Sequence, residues 1–222
     1  MERLLLLSHA VSGGIVLLLG LISLLNRKGS SHHIIIGRIY VGTMWWICLS
    51  AFLIISFYRF SFFLLVIGVL TFYSSFVGLR VVKRKSSNSD LWYDWLVSII
   101  TLLFGLGLFL YGVRSFLTNG EITVFGSLSL LFGALTMLPA YIDLRNFTSK
   151  AADKKLWWLE QHIRALGGSY IAAITAFAVQ NGSIFLPEDF YWLAWILPSL
   201  VFSPVLSILR RSYVKKISPK LR

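Results

Sequence analysis

A chain of 222 residues with 57% hydrophobic and 14% charged side chains and a mean hydropathy of +0.76 lies well above the roughly 45–50% apolar content of water-soluble domains. A soluble globular fold is excluded, and the class expected is an all-α integral membrane protein. The formal charge of +12 follows the loops rather than any one surface, so it points to membrane orientation and not to a nucleic-acid partner.

At roughly 20 residues per span, the length predicts seven transmembrane helices in a single domain covering residues 1–222. Helix 1 covers about 3–25. Glu2 offsets Arg3 and no small-residue cleavage site follows, so it reads as a retained span and not a cleaved signal. His9 lies about two turns inside it, with Gly13 and Gly20 on the same side. The polar run NRKGSSHH then leads to helix 2, about 34–57. Trp45 and Trp46 fall near its middle, where an indole N–H needs an internal partner. Cys48, the single cysteine, has no partner for a disulfide or a CxxC site. After a tight turn at Arg59, helix 3 covers about 60–82 and is closed by KRKSSNSD; helix 4 covers about 91–117 and ends at TNGE. Helix 5, about 122–144, carries Pro139, an expected kink.

Helix 6 is about 156–180, LWWLEQHIRALGGSYIAAITAFAVQ. His162, Ala165, Ser169, Ala172, Ala173 and Ala176 share one face at helical spacing. Lipid contact does not demand small side chains, whereas close helix packing does, so that face and His162 are expected to point inward. Helix 7, about 190–209, carries Pro198 and Pro204, and residues 210–222 form a basic cytoplasmic tail.

Placing the loops after helices 1, 3 and 5 together with the tail collects every Lys and Arg except Arg3, Arg59 and Arg114 on one side. By the positive-inside rule that side is cytoplasmic, which puts the N-terminus outside and the C-terminus inside. The same charges attract anionic lipid at the cytoplasmic face of the bilayer.

Ionisable groups in a bilayer are expensive enough to count as candidate sites. His9 stands apart near the outer face. At the cytoplasmic margin the topology gathers His32, His33, Arg38, Arg80, Asp94, Asp143 and His162, because helices 2, 4 and 6 begin there and helices 3 and 5 end there. Three chemistries use this inventory. His33 and His162 can ligate a b-type haem in a redox role, with Arg38 and Arg80 on its propionates and Gly167 and Gly168 making room for the ring. Asp94, Asp143 and His9 can relay protons or, with the arginines, bind a small-molecule ligand in a metal-free transporter or sensor. Zinc on His33 and His162 with a carboxylate would make an intramembrane hydrolase. Against all three stand helix-pinning ion pairs, Arg38 with Asp94 and Arg80 with Asp143, in a scaffold protein.

The ordered motifs SHAVSGG, HHIIIGRIY, FYSSFVGLR followed by KRK, QHIRALGGSYIAAITAF and WILPSL resemble a family of uncharacterised bacterial multi-pass membrane proteins, a domain of unknown function. The resemblance spans helices 1 to 7 and implies a helical bundle in the bacterial cytoplasmic (inner) membrane. It marks His9, His33, Arg38, Arg80 and His162 as pattern positions. The placement of histidines in helices is also loosely similar to membrane b-type cytochromes.

Overall fold

The computed structural model of the chain describes residues 1–84, 91–119, 123–148 and 156–217. Among these the structure is helical, without strands: α1 (Glu2–Leu25), α2 (Ser31–Phe57), α3 (Phe62–Lys83), α4 (Trp92–Asn119), α5 (Val124–Thr148), α6 (Trp157–Gln180), a single turn α7 (Gly182–Phe185) and α8 (Leu193–Ile217), with a 3-10 turn at Glu188–Phe190 before α8. Seven of them are long and apolar enough to cross a membrane. On α1, Leu4, Leu7, Val11, Ile15 and Leu18 form one exposed stripe, a surface suited to lipid and costly in water. The KRKSSNSD loop from residue 85, residues 120–122 at the end of TNGE and just after it, residues 149–155 and the tail beyond Ile217 lie outside the described residues.

Helix starts follow local capping chemistry. Ser30 Oγ accepts the backbone N–H of His33 at 3.2 Å and starts α2 ahead of its apolar run. Gly29, at φ +80, makes the preceding turn. Ser61 Oγ caps α3 through Leu64 N at 3.3 Å, and Thr123 Oγ1 caps α5 through Gly126 N at 3.0 Å. The ends run past the apolar runs: α5 reaches Thr148, and α8 reaches Ile217, so residues 210–217 of the basic tail are helical. Lys, Arg and Leu are good helix formers, and a hydropathy limit marks the bilayer edge, not the last hydrogen-bonded turn.

The chain forms two compact units, Met1–Lys83 with the segment from Trp158 onward, and Arg84–Trp157. In the first, α1 and α2 run antiparallel, joined at one end by the Arg59–Glu2 ion pair (2.8 Å) and at the other by Ser23 and His33. Val16, Tyr40, Val41, Met44, Cys48 and Tyr170 make its core. The Tyr170 ring lies against Gly20, where a methyl group would overlap it, and its hydroxyl donates to Leu17 O at 3.0 Å. Trp45 finds a partner for its indole N–H in Ser75 Oγ on α3, at 3.1 Å, and both Trp45 and Trp46 keep exposed rings. Leu206 of α8 packs on Gly167 of α6, and Phe202 meets the Tyr170 ring edge-on at 6.2 Å.

The second unit is an antiparallel hairpin of α4 and α5 built on glycine. Gly105 and Gly112 on α4, and Gly126 and Gly133 on α5, are each seven residues apart. A Cβ at Gly105 would stand 2.6 Å from Met137 N, and one at Gly133 2.6 Å from Phe109 N. Contact this close needs a missing side chain. At the hairpin's open end the Arg84 guanidinium lies 4.4 Å from the Phe147 ring centroid and 5.7 Å from that of Trp157, a cation–π arrangement.

Candidate functional site

One end of the first unit brings together the close of α1, the turn into α2, the end of α3 and the start of α6. His162 Nδ1 is 2.8 Å from Gly78 O on α3. A carbonyl only accepts, so Nδ1 carries the proton and Nε2 of the neutral ring keeps its lone pair. His33 Nδ1 meets Ser23 Oγ of α1 at 3.3 Å. The two rings stand edge to face, with centroids 6.5 Å apart and planes at 75°. Sequence topology paired these histidines, and their inward approach matches the expected small-residue face of α6, on which Ser169 and Ala172 are buried.

Lys28, in the turn between α1 and α2, completes the cluster. Its ammonium donates to Ser23 O and Leu24 O, both at 2.7 Å, and so caps the end of α1. Its charge acts on both His33 and His162. Burial pushes the Lys28 pKa below its ordinary value. Among the described residues none of these three side chains has a carboxylate partner. The signal for Lys28 was its place in NRKGSSHH, five residues before His33; what sequence could not show is the side chain folding back on α1.

The other candidates fall elsewhere. Arg80 is half-buried in the last turn of α3, two residues beyond Gly78, while Arg38 and His32 are exposed. Asp94 and Asp143 are buried, at 1% and 3% exposure, in the second unit. Asp94 has a structural task there: Oδ2 accepts Leu91 N at 3.0 Å, the reciprocal half of a capping box at the start of α4. His9 Nδ1 lies 2.8 Å from Ser50 Oγ. Ser50 already donates to Ile47 O, so His9 is the donor, bridging α1 and α2 nearer the Glu2–Arg59 end.

Of the two glycines expected to make room for a ring, Gly167 lies against Leu206, a close approach that serves helix packing, whereas a side chain at Gly168 would meet nothing within 4 Å; Gly78 likewise lies against Leu166. No group of three or more His, Cys, Asp or Glu that could hold a metal ion occurs among the described residues.

Deeper in the unit, Tyr40 and Ser169 were missed by a search for charge. Ser169 Oγ donates to Leu166 O at 2.8 Å, which leaves it to accept from Tyr40 OH at 2.9 Å. This bond ties α2 to α6 seven residues beyond the histidine pair on both helices. The chain matches no family model, no curated protein and no solved structure.

Proposed function

We propose that this chain is a multi-pass protein of the bacterial cytoplasmic membrane that binds a small anionic ligand, in a transport or sensing role, at the site formed by Lys28, His33 and His162. The orientation proposed is N-terminus outside and C-terminus inside, supported by the one-sided loop charges. The observation that carries the reading is Lys28. Its half-buried ammonium has three N–H donors, of which two are given to carbonyls, and no carboxylate neutralises it among the described residues. A cation drawn out of water without a counter-charge is costly, and an oxyanion beside two imidazoles supplies both charge and acceptors. The test is titration of the purified protein in nanodiscs with sulfate and inorganic phosphate. At least one binds the wild type, and Lys28→Met weakens that binding about tenfold, near 1.4 kcal/mol. Wild-type protein that binds neither overturns the reading.

The ring spacing favours b-haem as a second reading. Two imidazoles bound to one iron at about 2 Å would place their centroids roughly 6 Å apart, near the observed 6.5 Å. Leu166 against Gly78 and Leu206 against Gly167 occupy space beside the pair that a flat ring would use, which ranks this reading below anion binding. Its test is the absorbance spectrum, with metal analysis, of protein expressed with haem supplied. A Soret band lost in His162→Gln supports it, and no band removes it; the same metal analysis checks the zinc hydrolase alternative.

A further inference from the structure

We infer that anion binding at Lys28, His33 and His162 is coupled to proton uptake by the histidine pair. The inference rests on the anion-site reading above and adds the species that moves with the anion.

One nitrogen of each ring is already committed. His162 spends Nδ1–H on Gly78 O and His33 spends Nδ1 on Ser23 Oγ, so a proton taken up by His162 goes to Nε2, the nitrogen not bound to the protein. The groups acting on His162 are the Gly78 carbonyl of α3 and the Lys28 ammonium; those acting on His33 are Lys28, His162 and Ser23. Two imidazoles 6.5 Å apart beside one ammonium repel a further positive charge. An anion seated among them reverses that balance, and imidazole titrates near neutral pH. In the coupled step one proton leaves solvent and forms an N–H bond at His162 Nε2. The resulting imidazolium donates to an anion oxygen; no covalent bond of the protein breaks and no electron moves. By reciprocity, the factor by which the anion raises proton affinity equals the factor by which protonation raises anion affinity.

The experiment is calorimetric binding of sulfate, whose charge stays constant near neutral pH, in buffers of different ionisation enthalpy. Between half and one proton is expected to be taken up per sulfate at about pH 7, and affinity rises by several-fold, approaching tenfold, per pH unit lowered through the imidazole range. His162→Asn, whose amide N–H can replace Nδ1 as donor to Gly78 O, keeps the helix contact. It is expected to bind sulfate more weakly and with proton uptake cut at least in half. Sulfate binding with no proton uptake and a pH-independent affinity overturns the coupling while leaving the anion site standing. No sulfate binding even at about pH 6 overturns the coupling, and if inorganic phosphate fails to bind as well the anion site falls with it.

Discussion

Replacing Gly133 by alanine puts a methyl carbon 2.6 Å from Phe109 N and 2.9 Å from both Phe109 Cα and Gly105 O. Ordinary carbon contacts sit at about 3.5–4.0 Å, so α4 and α5 must part by about 1 Å. All three neighbours are backbone, and no side chain can rotate out of the way. Overpacking of this kind costs about 1–3 kcal/mol, and the better helix propensity of alanine returns up to about 1 kcal/mol, leaving a net loss whose middle range is about 1–2 kcal/mol. At Gly107, on the facing helix α4, an added methyl group would meet no atom within 4 Å; alanine there gains propensity without a clash. Reversible unfolding of the two variants in mixed detergent–SDS micelles measures the difference. Gly133→Ala is expected to raise the unfolding constant roughly 5–30-fold, while Gly107→Ala leaves it unchanged or lowers it. Equal behaviour of the two variants refutes the glycine-contact account of the hairpin.

Three further perturbations test other contacts. Asp94→Ala removes the acceptor for Leu91 N and is expected to destabilise the protein by about 1 kcal/mol or more, read as a lowered unfolding midpoint; an unchanged midpoint denies Asp94 its capping role. Ser169→Ala leaves the buried Tyr40 hydroxyl without its acceptor and should cost about 1–3 kcal/mol, whereas Tyr40→Phe should cost about 1 kcal/mol or less because Ser169 keeps its bond to Leu166 O. The reverse order in a denaturation series would show that the donor assignment is wrong. Because burial lowers the Lys28 pKa from 10.5, the unfolded chain holds that proton more tightly than the native one. Native stability therefore rises as pH climbs through the lowered pKa toward 10.5. Lys28→Met should flatten that rise, and a profile parallel to wild type would refute it.

The seven long helices were legible because a bilayer demands runs of apolar residues about as long as it is thick. Their ends were not. Ser30, Ser61 and Thr123 set starts through side-chain caps that hydropathy does not register, and α8 continues to Ile217 through residues too basic to count as a span. The approach of His33 to His162 was legible from alternation alone, since both helices begin on the same side. Lys28 was not, because its role depends on a side chain turning back to the carbonyls of Ser23 and Leu24. The cap made by Asp94 was hidden for a related reason: a carboxylate three residues into a helix serves a cap as readily as a site, and the bond to Leu91 N is not visible in the sequence. The seven-residue glycine spacing on α4 and α5 was present in the sequence, yet a search for ionisable groups passes over it.

Whether His33 and His162 share an anion with Lys28 is tested most directly by ¹⁵N-histidine NMR of the protein in nanodiscs, titrated with sulfate near neutral pH. The prediction is that the imidazole resonances of His33 and His162 move together and saturate at one concentration, while those of His9, held against Ser50, stay in place. Resonances of all four histidines drifting alike, or none moving, would contradict it.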